Sequence, residues 1–496
     1  MANSTDSTVQ DATPDLNEAK KIFESQWPKV QEYLETFWRQ APTPEGTYNF
    51  EIGLKEVAQE GCRLLLEHIH NRIEPETLED CPVRLHLGSE EYKRRPKSRN
   101  IIGTLFGPIT VYRYLYEPLE RGEKSIFPLE MQLGIEAGLA TPALAERIGL
   151  QAAGHTQQQV RDWLAGDHGI GWSNKTLRKL LASLRSGLNA FRETTQVKKI
   201  LGWLKEASRS KGPHQPVLAV GRDGIMVPLR KNYQEAGTGT VSVMDRNGRR
   251  LGTVYLGRMP QAGQTTLTDQ ITSLITEVLR QWRSQTPRLA YITDAGYHPR
   301  HYYENVLSRM EDPRRPGQRL KWQWIVDFWH ACGYLAKLKE GLFGDAKAGW
   351  AWFRKMRHWL KHRKQGVTQV LRSATQLRNR LKRMSKARAE LFDEGYHYLR
   401  KHTPWMAYAR YRRQGLPIGS GVTEAACKTV FTQRLKQSGM TWTVDGGQVI
   451  VDLRVLVLSG VWSEAYRAYL RSRTQPEVVQ TRSHQRRRSE SARIAA

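Results

Sequence analysis

Three carboxylates lie far apart in the chain, each where a side chain can be aimed at a common point: Asp223 in "GRDG", Asp294 in "YITDAG" and Glu424 in "GSGVTEAAC". They are hard oxygen donors, the type that holds Mg²⁺ or Mn²⁺. Two such ions roughly 3.5–4 Å apart can activate an oxygen nucleophile, align a phosphorus and stabilise a leaving oxygen in phosphodiester chemistry. Each residue also has a plainer reading. Asp223-Gly224 is a common turn pair, and Asp294-Ala295-Gly296 suits the cap of a following helix. A first-turn Glu424 complements a helix dipole without any catalysis. No one of them decides the matter; their order within one layout does.

The elements that must position them form an α/β segment. "PVLAVGRDGIMVPL" reads as a buried strand reaching Asp223, and "GTVSVMDRNGRRLGTVYLG" as a hairpin turning at Arg246-Asn247-Gly248. The helix "TTLTDQITSLITEVLRQWR" has apolar Leu267, Ile271, Leu274, Ile275 and Val278 on one side. "RLAYITDAG" is a second buried strand ending at Asp294; a helix from about Arg300 to Met310 and a strand ending near Asp327 follow. The order β-β-β-α-β-α-β is that of an RNase-H-like core, a mixed sheet flanked by helices. Adjacent parallel strands ending at one edge bring Asp223 and Asp294 together, and the helix bearing Glu424 closes the triangle.

Between the last strand and that helix lies a helical stretch, residues 331–415. Residues 346–389 contain fourteen Lys or Arg and no Asp or Glu. Exposed helix faces ordinarily mix both signs, so a one-signed run among Trp350, Trp352, Phe353 and Trp359 points to a phosphate backbone lying against it. Arg354, Lys355, Arg357, Lys361, Arg363 and Lys364 are the candidate DNA contacts there. Some of the tryptophans serve as the core of the segment itself. On the glutamate helix, Cys427, Phe431 and Leu435 recur at four-residue steps and read as core. Lys428, Arg434 and Lys436 lie on other faces and are candidate phosphate contacts, though Lys428 is also spaced for an ion pair with Glu424.

The first 200 residues carry no such set. Residues 1–20 are polar and read as a disordered lead, followed by helical spacing with Trp27, Val30, Tyr33, Leu34 and Trp38. Two strand-like runs flank Gly107-Pro108, as in a hairpin. After residue 141 come three short amphipathic helices, the third starting after Ser173 with Lys175, Arg178 and Lys179 on its polar side. That arrangement fits a helix-turn-helix or equally a three-helix packing unit with a solvated basic face.

Lys and Arg total 77 against 49 Asp and Glu, a net charge of +28 in 496 residues. Such a surplus attracts polyanions, nucleic acid above all, and the length calls for two or three domains. Four cysteines (Cys62, Cys81, Cys332, Cys427) with no C-x-x-C pair argue against a disulfide scaffold. Cys62 with His68 and His70, or Cys81 with His86, lacks the two tight ligand pairs of a structural zinc site. No apolar run spans a bilayer and the polar residues 1–20 are unlike a signal peptide, so a cytoplasmic location is expected.

The block "PIGSGVTEAACKTVFTQRLKQSGMTW" (417–442) resembles the C-terminal signature of bacterial insertion-sequence transposases of the ISKra group, within the DDE class. "GRDG" (221–224), "YITDAGYH" (291–298) and "VDFWHACGYL" (326–335) are similar to other blocks of that group, in the same order. The resemblance covers about residues 202–462, more weakly back to 102. It implies Asp223, Asp294 and Glu424 as a catalytic, metal-binding triad for two Mg²⁺ or Mn²⁺ ions. It further implies Asp327 and His330 as a site-organising D-x-x-H element, like that of Mutator-like and hAT transposases. The helical stretch after His330 then corresponds to the insertion such enzymes carry. Relatives often have a cysteine-based zinc ribbon near residues 102–130, and here that stretch has no cysteine.

The resulting expectation is an α/β RNase-H-like catalytic core with an all-α insertion, preceded by a mainly helical N-terminal region containing a β hairpin. Its parts run 1–20 (disordered lead), 21–200 (DNA-binding region), 201–330 (first part of the core), 331–415 (basic insertion), 416–470 (glutamate helix and end of core) and 471–496 (disordered basic tail). The partners expected are element ends and target DNA, with a homodimer or higher oligomer forming on DNA by analogy. A DNA-binding protein that has lost the chemistry, or a non-transposing nuclease of the same fold, is the alternative.

Overall fold

The structure, a computed structural model, describes residues 16–39, 42–120 and 122–478. Helices α1 (Leu16–Glu24), α2 (Trp27–Arg39) and α3 (Pro44–Ile73) lead into β1 (Arg84–Leu87), β2 (Glu90–Thr104) and β3 (Gly107–Pro118). Then come α4 (Pro128–Gln132), α5 (Pro142–Gly154), α6 (Gln157–His168) and α7 (Asn174–Arg209). Strands β4 (Val217–Pro228), β5 (Tyr233–Met244) and β6 (Arg250–Arg258) precede α8 (Thr265–Gln281), β7 (Arg288–Thr293) and α9 (Tyr297–Asn305). The small strands β8 (Glu311–Asp312) and β9 (Arg315–Arg319) come before β10 (Trp322–Val326). Five helices follow: α10 (Phe328–Phe343), α11 (Lys347–His362), α12 (Gly366–Arg380), α13 (Lys386–His402) and α14 (Tyr408–Arg413). The chain continues through α15 (Gly421–Ala426), a π-helical turn (Cys427–Thr432), α16 (Gln433–Leu435), α17 (Val444–Leu458), α18 (Trp462–Arg471) and β11 (Glu477–Val478).

The chain divides into two compact units, Met1–Gly149 with Thr156–Leu184 and Leu470–Ala496, and Leu150–His155 with Arg185–Tyr469. In the first, β11-β1-β2-β3 form a four-stranded sheet, so the hairpin read from sequence is one part of something larger. Its turn is Leu105-Phe106, not Gly107-Pro108, because Thr104 pairs with Gly107 across the strands. The Thr104 hydroxyl accepts from Phe106 N and donates to Gly107 O, which ties off the turn. The register slips between Arg94 and Lys97, where Pro96 has no N–H to give the ladder. Cys81 is buried with Leu85, Tyr92, Tyr114 and Tyr116 and so serves as packing.

The limits of several segments differ from expectation. Residues 16–20 of the polar lead belong to α1, and 1–15 lie outside the described residues. In the expected tail, Glu477 and Val478 pair with β1, and 479–496 lie outside the described residues. The third helix of the supposed short trio is 36 residues long. Ser173 Oγ accepts from Thr176 N at 3.1 Å to start it. Buried Leu177, Leu181, Leu184 and Leu188 then continue to Val197, Ile200 and Leu204 with no proline to stop the helix.

The second unit is built on a five-stranded sheet of order β10-β7-β4-β5-β6. β5 and β6 run antiparallel beside β4, while β7 and β10 are parallel to it. Alternation along the strands sorts side chains to two faces. Leu218, Val220, Leu289, Tyr291, Trp322 and Trp324 pack with the second half of α7 and with α8, including all five apolar α8 residues named above. Val217, Ala219, Ala290, Ile292 and Ile325 pack instead with α10–α14. The basic helical segment belongs to the same unit as the sheet, whose second face it covers. Trp352, Phe353 and Trp359 join that core, whereas Trp350 is exposed. The helix expected from about Arg300 is α9, starting at Tyr297 and ending in a 3₁₀ turn at Leu307–Arg309. The β8–β9 hairpin was not legible in the sequence; Arg314 fixes its turn by pairing with Asp312 at 2.8 Å. No helix among the described residues is long and apolar enough to cross a membrane.

Candidate active site

Register places the aspartates. β4 and β7 pair in parallel up to Gly221 opposite Ile292, so two residues further on Asp223 falls level with Asp294. β10 pairs with β7 up to Val326 opposite Thr293, which puts Asp327 beside Asp294. Asp294 and Asp327 thus follow the carboxyl ends of β7 and β10, and Asp223, inside the longer β4, lies level with them on the adjacent parallel strand, about 4.8 Å from strand to strand. Ligands of open α/β sheets bind in that position, outside the strand ends. Asp223 is not in a turn: β4 runs through it to Pro228, paired with β5 throughout.

Glu424 arrives on α15, which is pressed onto the same end. Gly221 has no side chain, and a Cβ there would lie 1.9 Å from Thr423 Oγ1. Thr423 Oγ1 and Thr240 Oγ1 hydrogen-bond at 2.8 Å, so the helix is fastened to β5 as well. Glu424 itself is exposed, with Oε1 accepting from Ser420 Oγ at 3.3 Å. Asp327, fully buried, caps α10 by accepting from His330 N at 2.6 Å, and its other oxygen accepts from Ser420 N. One carboxylate therefore joins the end of β10 to the loop before Glu424. His330 is exposed, its ring set against Tyr334 and Tyr398.

The half-buried Asp223 accepts from Gly224 N at 2.8 Å on one oxygen and from the Cys427 thiol at 3.5 Å on the other. Burial pushes its carboxyl up to about 6, and the charges of Asp294 and Glu424 push the same way. Burial and the neighbouring Asp223 push the Cys427 thiol up to about 12, so it stays protonated as a donor. Sequence reading placed Cys427 in the core, and it is buried; its contact with Asp223 had no signal in the sequence. Asp294 Oδ1 accepts from Gly296 N at 2.9 Å, closing a turn through Ala295, which holds a left-handed φ of 67°.

Among the described residues, no three His, Cys, Asp or Glu side chains stand close enough to hold a metal ion as they are. The donor set nevertheless fits a divalent cation. It consists of carboxylate oxygens whose mutual repulsion is registered at Asp223 and which a cation between them would relieve. Asp223, Asp294 and Glu424 are the residues that would hold it, with Glu424 the exposed member.

The candidate DNA contacts divide cleanly. Lys175, Arg178 and Lys179 are exposed at the start of α7. Arg354, Lys355, Arg357, Arg363 and Lys364 are exposed around α11, and Lys361 is half-buried. Several lie over aromatic rings, Arg357 over Trp329 and Arg363 over Trp359. Lys428 and Lys436 are exposed. Arg434 is a correction: it is 1% exposed, lies over Trp442 and donates from Nε to Ala152 O. Burial and nearby Arg454 lower its affinity for a proton, and it is not available to a phosphate backbone. The cause is heptad spacing: Arg434 lies seven residues after buried Cys427, which at 3.6 residues per turn puts both on nearly the same face.

No family model matches the chain, and no curated protein is similar to it.

Proposed function

We propose that the protein is a DDE transposase of an insertion sequence, with an RNase-H-like core, acting on DNA in the cytoplasm. One observation carries the reading: strand register brings Asp223 level with Asp294, and α15 brings Glu424 onto the same end of the sheet through the close contact of Thr423 with Gly221. A strand order with three antiparallel members and two parallel additions supports the fold assignment. The one-signed helix α11, whose Arg357 and Lys361 lie over Trp329 and Phe328 at the start of α10 next to Asp327, supports DNA as the substrate.

Divalent ions at such a site supply nucleophile activation and stabilise the leaving oxygen. The residues' own work is to hold carboxylates in register from three elements and to present basic side chains to the phosphate backbone. Water attacks first and releases a 3′-hydroxyl, which then attacks target DNA in the same place.

The test is strand cleavage and joining in Mg²⁺ or Mn²⁺ on DNA carrying the ends that flank the gene, with wild type beside Glu424→Gln. Joining by wild type that is lost in the variant supports the reading. Cleavage without joining points to a nuclease, and tight binding with no cleavage by either protein points to a DNA-binding protein without chemistry.

A further inference from the structure

Asp294 is followed by a strained residue. Ala295 has φ 67°, one of three non-glycine residues with positive φ among those described. A left-handed alanine costs free energy and persists only where its surroundings hold it. Turning over the peptide plane between Asp294 and Ala295 would carry that φ to about −110°, an ordinary value for an L residue. The strain therefore has an easy escape, and something must block it.

That plane is held at both ends. Its N–H, on Ala295, donates to Thr293 Oγ1 at 3.2 Å, an oxygen that also accepts from Trp324 Nε1 at 3.1 Å. Its carbonyl, on Asp294, accepts from the Tyr398 hydroxyl at 2.7 Å. Tyr398 comes from α13, in the basic helical segment, a hundred residues further along. Its ring is stacked on Tyr334 with centroids 3.6 Å apart and lies against His402 and His330, so the hydroxyl has little freedom. If the plane turned, the hydrogen bonds to Thr293 Oγ1 and from Tyr398 that fix the end of β7 would both be lost, and the backbone carrying the Asp294 carboxylate would no longer be held.

We propose that Tyr398 is a positioning residue: its hydroxyl holds the Asp294–Ala295 peptide and so keeps the Asp294 carboxylate aimed at the metal site. The inference rests on the reading of Asp294 as a ligand. It gives the helical segment a second duty, besides meeting DNA, as a brace for the site it covers. Groups one step behind metal ligands typically change metal affinity by 10–100-fold.

The test uses the full chain and two readouts. Mn²⁺ binding is followed by the loss of the free-ion EPR signal, and DNA binding without metal by fluorescence anisotropy. Tyr398→Phe keeps the ring stack and removes the hydroxyl. It is expected to weaken Mn²⁺ binding by about tenfold while leaving DNA affinity and thermal stability near wild type. Adding Ala295→Gly to Tyr398→Phe removes the reason for the peptide to turn, since glycine takes positive φ readily, and most of the lost Mn²⁺ affinity should return. A merely structural role for Tyr398 would lower both binding activities together and would not be repaired by the glycine. If Asp294→Asn abolishes Mn²⁺ binding but Tyr398→Phe binds as wild type does, the inference is overturned and the metal site stands. If wild type and Asp294→Asn bind Mn²⁺ alike, both fall.

Discussion

Gly221 is the position at which a single methyl group should separate the glutamate helix from the sheet. In Gly221→Ala the new Cβ would lie 1.9 Å from Thr423 Oγ1, 2.8 Å from Thr240 Oγ1 and 3.1 Å from Thr423 Cβ, where ordinary contact begins at 3.4 Å. The helix must therefore move by about 3.4 − 1.9 = 1.5 Å or Thr423 must turn away, and the buried Thr240–Thr423 hydrogen bond breaks either way. Overpacking of this kind costs about 1–3 kcal/mol, and the hydrogen bond contributes about 1 kcal/mol. A displacement of that size at Glu424 should reduce strand cleavage by about 10²-fold. Urea unfolding and cleavage of end DNA in Mg²⁺ measure the two effects separately. Thr423→Ala added to Gly221→Ala removes the worst clash and should recover part of both losses, leaving the contact with Thr240. A Gly221→Ala protein with wild-type stability and cleavage rate would refute the placement of α15 on β4.

Further outcomes follow from the site and the charged surface together. Asp223 ionises near pH 6, above an ordinary aspartate, so metal-dependent cleavage should decline as pH falls through about 6. By the same shift the fold gains from a neutral group there. Asp223→Asn without metal should be more stable than wild type above that pH by about 3 kcal/mol and equal to it below the range where aspartates ionise in the unfolded chain. Asp327→Ala removes the α10 cap and leaves Ser420 N–H unpaired in a buried place, a loss of about 2–4 kcal/mol measurable by urea unfolding. An unchanged midpoint would contradict the joining role given to Asp327. Replacing exposed Lys355 and Lys364 with alanine should lower the salt-dependence slope of DNA binding by about 0.9 for each phosphate left without its cation. Arg434→Met should leave that slope unaltered, because Arg434 is buried.

The sequence by itself determined the elements around the site. Strict spacing of Leu267, Ile271, Leu274, Ile275 and Val278 specified α8 and its buried side. Unbroken apolar runs ending in Asp294 and Asp327 specified two strands covered on both faces, and local hydrophobic patterning suffices for that. Composition also separated the basic stretch near α11 from the rest of the chain, because net charge is legible without any fold.

Only the tertiary structure decided how those elements meet. That Asp223 lies within a strand and not in an Asp-Gly turn depends on twelve consecutive pairings with β5, which no local preference encodes. That Arg434 is buried over Trp442 and against the Ala152 carbonyl, with no carboxylate partner among the described residues, depends on residues distant in the chain. In a regular α-helix a four-residue repeat drifts by about 40° per step. The wider π-helical turn from Cys427 to Thr432 offsets that drift, and Cys427, Phe431 and Leu435 are all buried. The holds on the site are of the same long-range kind. Tyr398 reaches the Asp294 carbonyl across 104 residues and Cys427 reaches Asp223 across 204. Contacts at such separations follow from packing of the whole unit, where side chains distant in sequence become neighbours because burying the two faces of one sheet leaves them no other place.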